Sequence, residues 1–191
     1  MVPSYSQFTT SRNLLYSYLH IKPPSGSEGN YILFLHGFPS SSGDWHHQIK
    51  YFSKKGYGIV APDLLGYGGT AKPLDVESYK IKAMAQDISE ILQHEKISKA
   101  IGVAHDWGSY LLSRLANFHP SLFTKYVFVD IGYTPPGFGL SLQTVNYVNA
   151  QVKSAMGYEV FGYFLFFQES DAAKLLDQHV CSLGDRKGFH H

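Results

Sequence analysis

The 191-residue sequence contains one cysteine, Cys181, so no disulfide can form within the chain. A reducing compartment is therefore allowed. An excess of charge of either sign is also missing, because 16 lysines and arginines are balanced by 15 aspartates and glutamates. This balance gives no reason to expect nucleic acid or an anionic membrane surface as a partner.

Long hydrophobic runs are missing as well. The longest, residues 160–167, contains Gly162 and is far too short to span a bilayer. The first residues lack the basic region and apolar core of a signal peptide, and residues 189–191 are not a peroxisomal Ser-Lys-Leu signal. We therefore expect a soluble, cytoplasmic protein with no membrane span. Its 44% hydrophobic residues are typical of a globular chain with a sizeable core.

The most informative stretch is residues 99–110. A short apolar run, residues 101–103, has strand character and ends in Ala104-His105-Asp106-Trp107-Gly108. Apolar residues then recur at helical spacing, which predicts a strand, a sharp turn and a helix with an acidic residue at the apex. Small residues on both sides of the apex are typical of the nucleophile elbow of α/β-hydrolases, here with aspartate in place of serine.

Apolar runs and helical patterns alternate along the chain, which predicts an α/β fold with a mostly parallel sheet and helices on both faces. Ligands of such sheets bind outside the carboxyl ends of the strands. The segments His36-Gly37-Phe38 and Pro62-Asp63, together with Asp106 and Asp130, follow strands and are expected at that edge. The predicted strands are residues 8–11, 14–21, 31–35, 56–61, 101–103 and 125–131. Three helices are predicted with them: one that begins after an N-cap at Asp44, one at residues 77–94, and one that runs from the Asp106 turn to His119.

An aspartate at the apex suits attack on a saturated carbon, which gives an ester of the enzyme that water must then hydrolyse. The tetrahedral oxyanion of that hydrolysis needs backbone N–H donors. Trp107, the residue after Asp106, can supply one, and Phe38 in the turn after an earlier strand can supply the second. The alternative is that Asp106 is a helix N-cap and that His36-Gly37 is an ordinary loop.

These motifs resemble those of the α/β-hydrolase-fold epoxide hydrolases, especially the soluble fungal and microbial type. The resemblance extends from about residue 8 to residue 180. It implies that Asp106 is the nucleophile, that Phe38 and Trp107 form the oxyanion hole, and that Tyr163 donates a hydrogen bond to the epoxide oxygen. It also implies a substrate pocket that contains His36, Phe38, Trp107 and Tyr163. The matching segments are His36-Gly37-Phe38-Pro39 and residues 62–70, 105–109 and 162–169.

The resemblance implies two parts of the chain: an α/β-hydrolase core at residues 1–139 and a partial helical cap at residues 140–191. The family's C-terminal strands, its second cap tyrosine and its catalytic histidine align with nothing here, so we expect these to be missing. Asp130 is a candidate for the triad acid, with a structural role at the strand end as the alternative. Tyr163 lies among phenylalanines, so core packing is its alternative role.

The sequence thus predicts an epoxide hydrolase that opens an apolar epoxide to a vicinal diol, with no cofactor and no metal. Its relatives imply a place in secondary-metabolite (toxin) biosynthesis or in detoxification. Two alternatives stay open, a haloalkane dehalogenase-like enzyme and a truncated, non-catalytic hydrolase-fold protein. A serine esterase is disfavoured because Ser109 lies beyond the apex, inside the helix. The oligomeric state is left open.

Overall fold

The computed structural model describes residues 5–24, 30–137 and 139–184. The chain divides into two compact units, Met1–Pro136 and Gly137–His191. The strands are β1 (Tyr5–Thr9), β2 (Leu15–Ile21), β3 (Tyr31–Leu35), β4 (Gly58–Pro62), β5 (Ala100–His105) and β6 (Phe123–Val129). The helices are α1 (His46–Lys54), α2 (Ile81–His94), α3 (Trp107–Phe118), α4 (Leu142–Met156), α5 (Gly162–Phe166) and α6 (Ala172–Gly184), with 3₁₀ turns at Ser42–Trp45, Val76–Tyr79 and Pro120–Leu122.

The first unit contains a six-stranded sheet in the order β1-β2-β4-β3-β5-β6. β1 and β2 form an antiparallel pair, and β2 is also antiparallel to β4. The strands β4, β3, β5 and β6 are mutually parallel. Because parallel strands end at the same edge, the segments that follow β3, β4, β5 and β6 meet there. The predicted α/β class with a mostly parallel sheet is confirmed.

Helices cover both faces of this sheet, as the continuous apolar pattern of β3 requires. On one face Leu33 and Leu35 pack with residues of α2 and α3 in the larger hydrophobic cluster. On the other face Ile32 and Phe34 pack against Trp45 and other residues around α1. Each leucine, isoleucine or phenylalanine side chain among them, once fully buried, contributes about 1.5–3 kcal/mol to stability. The two layers together fix the strand ends that carry the site.

A buried ionic network attaches the turn between β1 and β2 to α2. Asp87 is fully buried and accepts hydrogen bonds from Arg12 Nε at 3.0 Å and Nη2 at 2.8 Å. The hydroxyl of Tyr16 donates to the same carboxylate at 2.9 Å. Burial raises the pKa of Asp87 above its usual value, and the hydrogen bonds from Arg12 and Tyr16 oppose this rise.

The second unit is helical over its described residues. Ser141 caps α4 by accepting a hydrogen bond from the Thr144 N–H, and Gly157 ends the helix in the left-handed conformation. Asn149 Oδ1 then accepts from the Phe161 N–H at 2.8 Å, which ties the segment before α5 back to α4. None of the described helices of either unit has the length and apolar character needed to cross a membrane.

Several predicted element boundaries, among them those of β1, β6 and the start of α2, differ from the structure by a few residues, and one predicted helix cap is also wrong. Asp44 was expected to cap the helix that contains Trp45, and this prediction is wrong. Ser41 caps a 3₁₀ turn here by accepting from the Gly43 N–H, while the Asp44 carboxylate accepts from the Ser40 hydroxyl. Four serine and glycine residues precede Asp44, and the first side chain with the right geometry takes the capping position.

Candidate active site

Asp106 lies at the sharp turn between β5 and α3. Its backbone has φ 51° and ψ −124°, a conformation that non-glycine residues rarely adopt and that is typical of strained functional sites. Asp106 occupies the N-cap position of α3, but its side chain makes no capping hydrogen bond. Its carbonyl accepts from the Ser109 N–H at 2.8 Å, which starts the helix. Asp106 is thus the N-cap residue by position, as the alternative interpretation expects, while its carboxylate does not cap the helix.

The carboxylate of Asp106 points instead to the turn that follows β3. The Phe38 N–H donates a hydrogen bond to Asp106 Oδ1 at 2.6 Å. Gly37 makes this approach possible, because a Cβ built on it would lie 2.5 Å from Asp106 Cβ and would overlap Oδ1 as well. Any side chain at position 37 would therefore push the aspartate away from the Phe38 amide.

A second glycine lets α3 start directly against the end of β3. A Cβ on Gly108 would lie 2.6 Å from the carbonyl oxygen of His36 and would overlap the Leu35 carbonyl oxygen. These atoms are backbone and cannot rotate away. The small residue predicted after the apex is thus required by the close approach of helix and strand.

His36 lies fully buried beneath the Phe38 turn. Its Nε2 accepts a hydrogen bond from the Leu64 N–H at 2.9 Å. Because a backbone N–H can only donate, Nε2 carries no proton, and Nδ1 is the atom that donates to the Gly37 carbonyl at 2.9 Å. Burial lowers the pKa of the imidazole, and this favours the same neutral form. Both ring nitrogens thus form hydrogen bonds with backbone groups, one at Gly37 and one at Leu64.

Asp130 directly follows β6. The carbonyl of its neighbour Val129 accepts a hydrogen bond from the Asp106 N–H at 3.4 Å, so the end of β6 lies beside the Asp106 turn. Asp130 itself is exposed and has φ 73°. The structure therefore places this candidate acid at the edge where it was expected, and its role stays a prediction.

Trp107 is the first residue of α3, and its ring contacts that of Tyr110 with centroids 5.9 Å apart. Tyr163 belongs to the second unit, on α5, where its ring lies 5.0 Å from that of Phe164 and 6.1 Å from that of Phe167. The oxyanion role of Trp107 and the donor role of Tyr163 stay predictions.

A cavity of about 250 Å³ opens near the ends of β3, β5 and β6. Of the four predicted substrate-pocket residues, His36 alone lines it. In the described part of the chain, no group of three or more histidine, cysteine, aspartate or glutamate side chains is arranged to hold a metal ion. The cavity's lining consists of His36, Ser40, Asp44, Trp45, Gln48, His105 and Val129.

This arrangement of sheet, aspartate turn and facing amide agrees with what comparison with known proteins shows. The family model described as alpha/beta hydrolase fold matches residues 30–178. The chain belongs to the α/β-hydrolase fold family. The predicted family resemblance is confirmed, because curated epoxide hydrolases are among its similar proteins.

Three similar proteins illustrate the relationship. Bifunctional epoxide hydrolase 2 of Sus scrofa is 29% identical over 175 residues, which cover 87% of this chain and 30% of that protein. Epoxide hydrolase srdG of Neurospora crassa is 33% identical over 131 residues, or 66% of this chain and 38% of that protein. The crystal structure of epoxide hydrolase VrEH1 from Vigna radiata matches with a TM-score of 0.74 and 28% identity, covering 96% of this chain and 55% of that one.

This α/β-hydrolase chain thus spans 30% to 55% of the length of these relatives. The motifs and their order predicted that Asp106 and Phe38 lie at the same edge of the sheet, and the structure brings the two residues together. The sequence pattern did not show that Leu64 holds the Phe38 turn through His36 and that Asp63 holds it through Ser42. The available signal was an aspartate directly before a glycine-rich loop, because such an aspartate accepts hydrogen bonds from N–H groups of its own loop, here that of Gly69.

Proposed function

We propose that this chain carries the nucleophile half of an epoxide hydrolase site, in which Asp106 opens an epoxide through an alkyl-ester intermediate. The observation that carries the proposal is the 2.6 Å hydrogen bond from the Phe38 N–H to Asp106 Oδ1. In the proposed reaction the two carboxylate oxygens have different tasks, and this bond supports that division.

Oδ1 already lies against a backbone donor of the kind that stabilises an oxyanion. Oδ2 is then the oxygen that attacks a ring carbon of the epoxide. The carbon–oxygen bond of the ring breaks, the epoxide oxygen takes a proton from Tyr163, and Oδ2 becomes the ester oxygen. After this step Oδ1 is the ester carbonyl oxygen, and it is already at the Phe38 amide.

Hydrolysis of the ester then uses the same amide. Water adds to Asp106 Cγ, negative charge develops on Oδ1, and the Phe38 N–H, with that of Trp107 in the proposal, stabilises it. Collapse breaks the Cγ–Oδ2 bond, so the diol keeps Oδ2 and the carboxylate keeps the water oxygen. One proton of the water goes to the departing alkoxide, and the other restores Tyr163.

The base that activates this water is unassigned among the described residues. The ring nitrogens of His36 are both engaged, at Gly37 and Leu64. Asp130 is the proposed acid partner of such a base, on the strength of its place beside the Asp106 turn. The engagement of His36 favours the second candidate function, a hydrolase-fold chain that forms the ester and does not turn over.

An apolar epoxide is the proposed substrate class, because residues 147–167 are rich in aromatic side chains. We propose that residues 140–191, which include this aromatic segment, are a partial helical cap and that residues 1–139 are the hydrolase core. A place in secondary metabolism or detoxification is part of the same proposal, as is an enzyme that needs no cofactor.

The test is to follow consumption of styrene oxide and of a matched chloroalkane by the purified chain and by Asp106→Asn. We expect diol, or a stoichiometric loss of epoxide, with the wild-type chain alone. Steady diol release supports the enzyme, and a loss limited to one epoxide per chain supports the non-turnover form. Preferential release of chloride would favour the haloalkane dehalogenase-like alternative, and equal rates with Asp106→Asn would refute the proposal.

A further inference from the structure

The segment that presents the Phe38 amide is held at both of its ends by two consecutive residues of another loop. Asp63 and Leu64 directly follow β4, which is the neighbour of β3 in the sheet. Leu64 contacts the start of the Phe38 segment through His36, and Asp63 contacts its end through Ser42. Residues 36–42 are therefore fixed at both ends by residues 63 and 64.

Ser42 donates two hydrogen bonds to the buried carboxylate of Asp63. Asp63 is 5% exposed, and its Oδ1 accepts from the Ser42 N–H at 3.1 Å and from the Ser42 hydroxyl at 2.6 Å. Since the Ser42 hydroxyl proton goes to Asp63, the Tyr5 hydroxyl donates to Ser42 Oγ, 2.7 Å away. Hydrogen bonds to a carboxylate are about twice as strong as those between neutral groups, so the Asp63–Ser42 contact holds the end of the segment strongly.

The other oxygen of Asp63 holds its own loop in place. Oδ2 accepts from the Gly69 N–H at 3.0 Å. The Thr70 hydroxyl donates to the Asp63 carbonyl at 2.7 Å, and the Ser17 N–H donates to Thr70 Oγ1 at 3.0 Å. Asp63 is thus held in place against β2 through Thr70, and its bonds to Ser42 hold Ser42 in place in turn.

From this geometry we propose that Asp63 and Ser42 are positioning residues, which hold the Phe38 N–H at the hydrogen-bonding distance from Asp106 Oδ1. Neither touches the reacting atoms. The catalytic consequence rests on the function proposed above, but the positioning of the Phe38 amide does not, and it can be measured without a substrate.

The chain supplies a matched control for this proposal. Asp75 accepts the N–H of Ser78 at 2.8 Å and its hydroxyl at 2.9 Å, the same pair of serine donors that Asp63 binds, but at the exposed start of the Val76–Tyr79 turn. Asp75→Asn therefore makes the same chemical change away from the site. Asp63→Asn removes the negative charge and cannot accept from both loops, because one end of the amide only donates.

The experiment measures hydrogen exchange and the proton chemical shift of the Phe38 amide in ¹⁵N-labelled full-length chain. In Asp63→Asn we expect the protection of this amide to fall about tenfold or more and its resonance to move upfield, as for loss of a charge-assisted bond. Asp75→Asn should leave both unchanged. An unchanged Phe38 amide in folded Asp63→Asn overturns the proposal.

Two further measurements cover the remaining outcomes. If Asp63→Asn does not fold, Ser42→Ala retains the Asp63 charge and the backbone bond, and a smaller change in the same direction is expected; no change overturns the proposal. Where styrene oxide forms an ester on wild-type Asp106, Asp63→Asn should slow ester breakdown more than ester formation, since the oxyanion develops only in breakdown. Absence of the wild-type ester refutes the proposed function and leaves the amide measurement to decide the positioning role.

Discussion

Replacing Gly37 by alanine tests how strictly the Phe38 turn and Asp106 depend on their close approach. The added Cβ would lie 2.5 Å from Asp106 Cβ. Carbon atoms in contact are normally about 3.5–4.0 Å apart, so one of the two groups must move by roughly 1 Å. A shift of that size stretches the 2.6 Å bond between Phe38 N and Asp106 Oδ1 beyond hydrogen-bonding distance.

The cost in ester formation follows from that displacement, because the oxyanion that the Phe38 N–H stabilises develops only in ester breakdown. A misplacement of about 1 Å at a reacting group costs about 100-fold in rate. We therefore expect Gly37→Ala to form the Asp106 ester about two orders of magnitude more slowly than wild type. The lost hydrogen bond to a charged group, worth about 1.5–3 kcal/mol or about 10- to 150-fold in rate, slows the hydrolysis of the ester.

The assay is intact-protein mass spectrometry over time with excess styrene oxide, which counts the adducts per chain. Gly132→Ala is the control, because a Cβ there meets no atom within 4 Å and Gly132 is close to the same sheet edge. Circular dichroism verifies that both variants are folded. A folded Gly37→Ala protein that is labelled at the wild-type rate would refute the reasoning.

Three further predictions concern stability and pH. Arg12→Met leaves the buried Asp87 charge without its partner and should lower the free energy of unfolding, measured in urea, by about 3 kcal/mol. This value is the lower end for buried pairs because Arg12 is partly exposed. Lys80→Met breaks an exposed pair with Glu77 and should change the free energy of unfolding far less; equal effects of the two variants would count against a stabilising role of the Arg12–Asp87 pair. Because His36 has a lowered pKa in the folded chain, the unfolded chain binds the proton first, so stability should be complete above about pH 6.5 and fall as the pH drops. His36→Gln, whose amide oxygen can accept from Leu64, should show a smaller difference in urea midpoint between pH 7.5 and pH 5, and an identical difference would exclude His36 as the cause. Gly108→Ala should lower the unfolding temperature by several degrees, because its Cβ meets backbone at His36, and an unchanged midpoint in a thermal scan would contradict that packing.

Much of the fold followed from the sequence because its signals are local. The apolar run at residues 31–35 matches β3 residue for residue, and the turn at Asp106 falls between a strand and a helix as the spacing indicated. The α2 helix starts at Ile81, later than predicted, because residues 76–79 form a separate 3₁₀ turn. Such a turn has the same apolar spacing as a first helical turn and differs only in its hydrogen bonds.

The fine structure of the site depended on contacts that the sequence pattern does not encode. His36 meets Leu64 across 28 residues, and Asp63 meets Ser42 across 21, and both contacts exist only because β3 and β4 pair in one register. Which oxygen of Asp106 faces Phe38 likewise depends on backbone angles at the turn. The motif predicted Asp106 as the nucleophile, and three-dimensional packing places one oxygen of its carboxylate at the Phe38 amide.

The most direct test of the central claim is to locate the covalent label. The wild-type chain is incubated with styrene oxide, quenched, digested and mapped by tandem mass spectrometry. We expect one added styrene oxide mass on the peptide that contains Asp106, with fragment ions that place it on that residue, and none in Asp106→Asn. A folded wild-type chain with no label at Asp106, or with its label on another residue, would contradict the claim that Asp106 is the nucleophile.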